Sequence, residues 1–162
     1  MRILTLESGI WLPKPLKEVF PFFTDARNLE LLTPPWLRFE VLEQTPNQMT
    51  AGARIGYRLR LHGIPIRWQS RITVWDPPER FVDEQIQGPY RLWIHEHRFE
   101  ERDGMTLAED FVRYAVPGGP VVDRLFVGRD VRRIFRYRRN RLQSIFGTVS
   151  ECPEPVGQTS SD

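Results

Sequence analysis

The sequence has few of the residues on which covalent and cofactor chemistry usually depends. It contains a single cysteine among 162 residues, so an internal disulfide and a cysteine-rich metal site are both excluded. Cys152 lies in a C-terminal stretch rich in Pro, Gly, Ser and acids, a setting that does not suit a catalytic thiol. The sequence also lacks a P-loop, a dinucleotide-binding glycine fingerprint and a nucleophile motif. We therefore predict no cofactor.

Long hydrophobic runs and lysines are also scarce. No segment approaches the roughly 20 apolar residues needed to span a bilayer, and the apolar run at the N-terminus is too short for a signal peptide. We therefore expect a cytoplasmic protein. Lys14 and Lys17 are the only lysines, so the basic side chains are nearly all arginine, and the formal net charge is +2.

The composition that remains is that of a folded protein. Apolar residues make up 40% of the chain and aromatics 12%, enough to bury a hydrophobic core. We predict a single domain over residues 1–147. Residues 148–162 have the composition of a disordered tail.

The first part of the chain predicts one strand and two short helices. Ile3–Leu12 alternates in the manner of a strand. Pro15 suits the first turn of a helix, where its missing N–H costs nothing, and apolar residues then recur at helical spacing, at Leu16, Val19, Phe20 and Phe23. A second short helix, capped by Thr24 or Asp25, is predicted to end at Thr33-Pro34-Pro35.

Six strand-like segments follow, separated by short turns that contain Gly, Pro or Asp-Gly. They are Leu37–Gln44, Ala53–His62, Ile66–Trp75, Arg80–Gln87, Tyr90–Glu101 and Met105–Val116. Their regular spacing and short connections predict an antiparallel meander.

A long helix is predicted from about Val121 to Phe146, with Gly147 at its end. Its apolar stripe is Val122, Leu125, Val127, Val131, Ile134, Phe135, Leu142 and Ile145. A sheet with one apolar face must bury that face, and this helix is the large partner available. We therefore predict an α+β fold in which a curved antiparallel sheet of about six to seven strands wraps around the C-terminal helix and encloses a cavity.

The segment Trp93–Phe99 indicates where that cavity lies. Trp93, His95, His97 and Phe99 fall on every second position, so they share one face of a strand. Buried imidazoles need hydrogen-bond partners. A face that mixes aromatics with imidazoles therefore suits the wall of a partly apolar cavity better than a dry core.

Neighbouring segments carry motifs that resemble a known superfamily. They are Asp76-Pro77-Pro78-x-x-Phe81-x-Asp83-x-Gln85, Gly88-Pro89-Tyr90, Trp93-x-His95-x-His97-x-Phe99 and Asp110-x-Val112-x-Tyr114-x-x-Pro117-x-Gly119. Together with the element order, they resemble the helix-grip fold of the START and birch-pollen-allergen-like (SRPBCC) superfamily, in its ligand-binding or polyketide cyclase/dehydrase-like branch. The resemblance covers about residues 3–146 and implies binding of a small hydrophobic or amphipathic molecule.

If the three strands keep their alternating residues on one face, four polar side chains converge. The candidate catalytic residues are Asp83, His95, His97 and Asp110. Imidazole beside carboxylate is a plausible acid–base pair near neutral pH, and the resemblance implies an aldol cyclisation or a dehydration. The alternative is a satisfied polar network that only shapes the cavity. The same residues could also hold zinc, although His62, in a turn, does not suit a third histidine ligand; we predict no metal.

Ligand contact is predicted for a wider set of residues on the same strand faces. They are Phe81, Asp83, Gln85, Trp93, His95, His97, Phe99, Asp110 and Tyr114. Thr33-Pro34-Pro35-Trp36-Leu37 could form a lip at the cavity entrance. The alternative for Trp36 is that it packs the short helices onto the sheet.

The C-terminal helix carries a crowd of arginines. They are Arg124, Arg129, Arg132, Arg133, Arg136, Arg138, Arg139 and Arg141. One interpretation is a solvated face. The other is a basic surface over 121–146 that contacts anionic lipid or an acidic protein, as in a lipid or quinone chaperone. We do not predict nucleic-acid binding, because no interleaved aromatic platform for bases accompanies the arginines.

Overall fold

The computed structural model describes residues 1–153. Within them the chain forms seven strands: β1 Leu4–Leu12, β2 Glu40–Thr45, β3 Arg54–Leu61, β4 Ile64–Asp76, β5 Arg80–Gln87, β6 Leu92–Arg102 and β7 Met105–Ala115. The helices are α1 Leu16–Thr24, α2 Leu29–Leu32, α3 Gly119–Val122 and α4 Gly128–Phe146, with 3₁₀ turns at Ala26–Asn28 and Pro35–Leu37. A π-helical turn, Asp123–Val127, joins α3 to α4.

All seven strands form one antiparallel sheet in the order β1-β7-β6-β5-β4-β3-β2. Each strand from β2 to β7 pairs with its neighbour in sequence, so the predicted meander is confirmed. β1 closes the sheet at the far end by pairing with β7, from Leu4 opposite Tyr114 to Leu12 opposite Thr106. Register shifts in the β2–β3 and β4–β5 pairs add the local twist with which bulges curve a sheet.

Two-residue turns account for the shortest connections. His62 and Gly63 have φ values of 49° and 80°, and Asp103 and Gly104 have φ values of 54° and 73°. Positive φ at both central residues matches the right-handed twist of the flanking strands. The β3–β4 turn is therefore His62-Gly63, and β4 begins at Ile64, two residues before the predicted Ile66.

The larger part of the core lies where α1 packs against the concave face of the sheet. Phe20 and Phe23 of α1 contact Phe99 of β6 with ring centroids 5.5 Å and 4.9 Å apart. Each such ring contributes about 1.5–3 kcal/mol when it is fully buried. The apolar positions of α1 thus fix the short helices at one end of the sheet.

A second cluster lies between β7 and α4, where Val112, Val131 and Phe135 are all buried. With the long helix in this position, the predicted helix-grip architecture is confirmed. Gly147, with φ 103°, ends α4 and donates its N–H to the carbonyl of Gln143.

Part of the predicted apolar stripe is wrong. Leu125 is 55% exposed and Ile145 is 37% exposed, whereas Val131, Phe135 and Leu142 are buried. A π-helical turn places one extra residue in the turn, so side chains before Gly128 lose the phase of the stripe that follows. Leu125 consequently points away from the sheet.

The predicted tail lies mostly beyond the described residues. Residues 148–153 form neither helix nor strand, and the prediction for 154–162 falls outside the part that the structure describes. No helix within residues 1–153 is both long and apolar enough to cross a membrane.

Candidate functional site

The strand register brings the four candidate catalytic residues together. Asp83 of β5 lies directly opposite His95 of β6, and His97 lies directly opposite Asp110 of β7. Directly opposed residues point to the same face of a sheet, and this face is the concave one beneath α4. The convergence predicted from the alternation is therefore what the register produces.

Each imidazole of this cluster contacts a carboxylate. Because an ionised carboxylate only accepts hydrogen bonds, His95 Nε2–H donates to Asp110 Oδ1 at 2.8 Å, and His97 Nε2–H donates to Asp83 Oδ2 at 2.9 Å. The two imidazole centroids are 3.8 Å apart. Phe81 stacks on the outer side of His97 at 4.1 Å, so the rings are held in place by both packing and hydrogen bonds.

Arg138 of α4 is the cluster member that the sequence interpretation missed. Its Nε donates to Asp110 Oδ2 at 3.1 Å and its Nη2 to Asp110 Oδ1 at 3.2 Å, a bidentate pair. The side chain is buried at 6% exposure, so the interpretation of all the helix arginines as a solvated face is wrong at this position. Residue 138 continues the spacing of Val131, Phe135 and Leu142, and that spacing was the available signal.

The guanidinium controls the ionisation of the carboxylates. Burial alone would raise the pKa of Asp110, but Arg138 and the two imidazoles lower that pKa well below its ordinary value. Burial also acts to raise the pKa of Asp83, and the hydrogen bond from His97 with the nearby positive charges lowers it overall. Both carboxylates are therefore ionised at neutral pH.

The two imidazoles, although adjacent, differ in basicity. Burial lowers the pKa of His95, and the charge of His97 lowers it further, so the net shift is downward. Burial also acts to lower the pKa of His97, but its hydrogen bonds to Asp110 and Asp83 outweigh this and raise it. The opposite shifts mean that His97 takes up a proton more readily than His95, and a protonated His97 would add to Arg138 in balancing the two carboxylates.

A cavity of about 160 Å³ lies beside this cluster, between the sheet and α4. Its polar end is formed by Asp83, His95, His97 and Arg138. Its remaining wall is mainly apolar and aromatic, with Leu29, Leu32, Leu37, Phe39, Tyr57, Leu59, Leu61, Trp68, Tyr90, Trp93, Val131, Ile134 and Phe135. The contributions of β3, β4 and α4 to this wall were not among the predicted ligand contacts.

The predicted ligand-binding residues divide into two groups. Asp83, Trp93, His95 and His97 line the cavity, and Phe81 lines a smaller void of about 20 Å³ next to it. Among the described residues, Gln85, Phe99, Asp110 and Tyr114 do not line the main cavity.

Those four side chains form contacts outside the main cavity. Gln85 donates to the carbonyl oxygen of Tyr90 at 2.8 Å and so closes the β5–β6 turn. Phe99 packs in the core beneath α1, and Asp110 lies behind the imidazoles. Tyr114 donates to Asp123 Oδ1 at 3.0 Å, and burial with this neighbouring carboxylate raises its pKa to about 12.

The Trp36 side chain packs on the outer surface of α4. The Arg133 guanidinium carbon lies 4.1 Å from the centroid of the Trp36 ring, and the Tyr137 ring is 5.8 Å from it. Trp36 is 44% exposed. It therefore packs the Pro35–Leu37 turn onto α4, whereas Leu37 beside it lines the cavity.

Asp83, His95 and His97 also have the geometry to hold a divalent metal ion. Each offers one ligand atom, and these atoms lie within 4.8 Å of one another. Two imidazoles and one carboxylate form a familiar metal-ligand set. However, the buried Arg138 guanidinium already pairs with Asp110 beside these atoms, so an ion would add positive charge next to a buried cation.

Comparison with known proteins places the chain in a family. The model of the family described as polyketide cyclase/dehydrase and lipid transport matches residues 12–142. The chain belongs to this polyketide cyclase/dehydrase and lipid transport family. The match spans every strand that builds the cluster and most of α4, including Arg138.

Solved structures confirm the fold of this family member. The Zhui aromatase/cyclase from Streptomyces sp. R1128 is 18% identical with a TM-score of 0.71, over 89% of this chain and 93% of that one. Protein Ms6760 from Mycobacterium smegmatis is 19% identical with a TM-score of 0.66, over 88% and 90%. A START superfamily protein from M. smegmatis is 13% identical with a TM-score of 0.60, over 87% and 98%. No curated protein matches the chain.

Proposed function

We propose that the protein binds a small, mainly apolar molecule that carries one polar group. The observation that supports this proposal is the asymmetry of the cavity, in which a long apolar wall ends at one compact cluster of hydrogen-bonding groups. An apolar wall supplies affinity in proportion to the area it removes from water. The few polar groups at one end fix the orientation of the ligand.

The size of the cavity limits the ligand. Apolar cavities of about 150 Å³ accept a single benzene ring, and the cavity here has about 160 Å³ with an opening to the surface. One aromatic ring therefore fits inside without rearrangement, and a second fused ring would extend into the opening. Trp68, Tyr90 and Trp93 line the wall, and their ring faces and edges favour an aromatic or polyketide-type ligand.

The polar end favours an uncharged hydroxyl or carbonyl over a charged group. The carboxylates of Asp83 and Asp110 already pair with the imidazoles and with Arg138, so a charged ligand would enter a buried site without a free counter-charge. His95 Nδ1 lies 3.7 Å from Asp83 Oδ2, too far for a hydrogen bond. That nitrogen is the acceptor to which a ligand hydroxyl would donate.

Quenching of tryptophan fluorescence by 2-naphthol, a fused-ring phenol, tests this proposal. We expect saturable quenching that is mostly lost when Trp68 and Trp93 are both changed to Phe. Trp11→Phe is the matched control, because Trp11 packs against Arg102 on the opposite face of the sheet. Non-saturable quenching, together with no co-purified small molecule in native mass spectrometry, would contradict the proposal.

Acid–base catalysis is the second candidate function. The specific observation in its favour is the divergence of two adjacent imidazoles, with the pKa of His95 lowered and that of His97 raised. Such divergence provides a base and an acid side by side. His95, backed by Asp110, would remove a proton next to a carbonyl group, and His97 would donate one to the developing oxygen anion.

Hydrogen–deuterium exchange of the α-protons of 2-tetralone, a fused-ring ketone, tests this second function. We expect the wild-type protein to accelerate the exchange and His95→Gln to lose that acceleration while it still binds 2-naphthol. A His95→Gln variant that exchanges the protons as fast as wild type would exclude His95 as the base. Fluorescence quenching of the same variant shows that the cavity is intact.

A further inference from the structure

The segment that precedes α4 exposes an unusual amount of apolar surface. Val121, Leu125 and Phe126 are 67%, 55% and 62% exposed. They lie within one turn of each other across α3 and the π-helical turn. Ile64, two residues after His62 in the β3–β4 turn, is 65% exposed as well. Large side chains grouped on a protein surface usually mark a contact with another molecule.

Arginines surround this apolar group. Leu125 and Phe126 line a surface groove together with Arg129, Arg132, Arg133 and Arg136. His62 and Asp130 complete the groove, and these two contact each other, with His62 Nε2 2.6 Å from Asp130 Oδ2. The carboxylate in the groove is thus already engaged, and the groove is strongly basic.

The groove lies beside the cavity. Leu61, next to His62, lines the cavity wall, and so do Val131 and Ile134, which follow Asp130 on α4. The contact between His62 and Asp130 therefore joins the β3–β4 turn to α4 beside the cavity. A molecule that contacts the groove therefore lies next to the cavity wall.

We propose that this surface, defined by Val121, Leu125, Phe126, Arg129, Arg132, Arg133 and Arg136, binds the surface of an anionic lipid bilayer. Leucine and phenylalanine at the tip of a basic helix enter the boundary between headgroups and acyl chains. Arginines beside them pair with lipid phosphates, which the planar guanidinium binds in a bidentate manner. Bound in this way, the protein holds the β3–β4 turn and the adjoining cavity wall close to the membrane.

The charge of the surface argues against a second copy of the chain as the partner. Two such surfaces would place four guanidinium groups against four others, and like charges in contact are repulsive. A nucleic acid or an acidic protein would use the arginines but would not need exposed Leu125 and Phe126. An anionic bilayer can interact with both, because its phosphates attract the arginines and its acyl chains accommodate Leu125 and Phe126.

Co-sedimentation with phosphatidylcholine vesicles, with and without phosphatidylglycerol, tests this proposal. We expect binding to the phosphatidylglycerol vesicles that weakens at high salt. Each arginine near an anionic surface is worth about five-fold in affinity. Arg132→Glu with Arg133→Glu removes two of them and should therefore weaken binding at least about ten-fold. Leu125→Ser with Phe126→Ser should weaken it by a similar factor, because the apolar area no longer enters the bilayer.

The matched control reverses two arginines elsewhere. Arg54 and Arg71 lie opposite each other on β3 and β4 and are exposed on the convex face of the sheet. Arg54→Glu with Arg71→Glu should leave vesicle binding within about two-fold of wild type, since these charges lie away from the docking residues. The melting temperature of each variant verifies that it is folded. Vesicle co-sedimentation does not require a ligand in the cavity, so its result is independent of the proposed ligand binding.

Three outcomes would overturn the proposal. The first is an absence of sedimentation with phosphatidylglycerol vesicles, including the case in which the protein instead retards duplex DNA. The second is wild-type binding by the Leu125→Ser, Phe126→Ser variant, since the apolar residues would then not enter a bilayer. The third is an equal loss of binding in the Arg54→Glu, Arg71→Glu control, which would indicate attraction by overall charge alone.

Discussion

At the scale of single residues, the buried guanidinium of Arg138 is the group on which the polar cluster depends. It forms two hydrogen bonds to Asp110, whose two carboxylate oxygens are thereby held between α4 and the imidazoles. Removing one partner from a buried ion pair leaves an uncompensated charge, which costs more than the pair itself contributed. The network is therefore sensitive to the loss of any one member.

Arg138→Met should lower the free energy of unfolding by about 3–5 kcal/mol, because the ionised Asp110 remains buried without its guanidinium. Arg139→Met is the control, since Arg139 is the exposed neighbour on the same helix and its change should stay within about 0.5 kcal/mol. Urea denaturation followed by circular dichroism measures both. Equal stabilities of the two variants would contradict the assigned role of Arg138.

The two imidazoles should titrate on opposite sides of the ordinary histidine pKa. The pKa of His97 is raised and that of His95 is lowered. In NMR spectra recorded over a pH series, the His97 ring signals should move above about pH 6.5 and those of His95 below it. Asp110→Asn should shift the His97 transition to lower pH, because it removes an accepting charge. Coincident transitions would contradict the assignment.

The same shifts set the pH dependence of stability. The folded protein binds the His97 proton more tightly than the unfolded chain does, so this contribution is complete below about pH 6.5 and is lost as the pH rises through the raised pKa of His97. His95 acts in the opposite sense, because its contribution is lost as the pH falls through its lowered pKa. The lowered pKa values of Asp83 and Asp110 remove further stability only in stronger acid.

At the scale of elements, the π-helical turn divides the C-terminal helix into two surfaces. Leu142 after the turn is 2% exposed, whereas Leu125 within it is 55% exposed. Leu142→Ala should lower the free energy of unfolding by about 2–5 kcal/mol, because it leaves a cavity in the core. Leu125→Ala, the same chemical change, should stay within about 0.5 kcal/mol. Similar losses in both variants, measured by denaturant unfolding, would place Leu125 in the core.

Local patterns in the sequence carry much of this architecture but not all of it. Alternation identifies the strand faces, so it groups Asp83, His95, His97 and Asp110 from the sequence alone. Turn residues locate the connections to within about three residues. The spacing of Arg138 places it on the buried side of the helix, but its partner could not be predicted from local patterns, because Asp110 lies on a strand 28 positions earlier.

Other parts of the site depend on packing that no local pattern records. The extra residue of the π-helical turn changes which helix residues face the sheet, so Leu125 was wrongly assigned to the apolar stripe. Tyr114 and Gln85 share the face of the cavity residues, but partners on other segments, Asp123 and Tyr90, hold their polar groups. Alternation predicts the face of a strand and not the distance of each side chain from a void.

At the scale of the whole molecule, ligand binding and stability should be linked through the cavity. A ligand at a concentration of 100 times its dissociation constant stabilises the folded state by about 2.7 kcal/mol. Ile134→Trp should abolish most of this stabilisation by 2-naphthol, because Ile134 lines the cavity and the indole would occupy it. Ile145→Trp, on the exposed side of α4, should respond as wild type. Thermal unfolding with and without 2-naphthol gives the comparison, and equal shifts in all three proteins would contradict this cavity as the binding site.

The pairing of β1 with β7 has a consequence for how the chain is made. β1 is synthesised before the other strands of the sheet, yet Tyr114, the partner of Leu4, follows only after β2 to β6 have been made. Bringing the ends of so long a loop together costs conformational entropy before any contact between β1 and β7 can stabilise the chain. Topologies dominated by such distant contacts therefore fold slowly. Until β1 docks, the open edge of β7 is a template for strands of other chains. The newly made protein is therefore most prone to aggregate just before β1 pairs with β7.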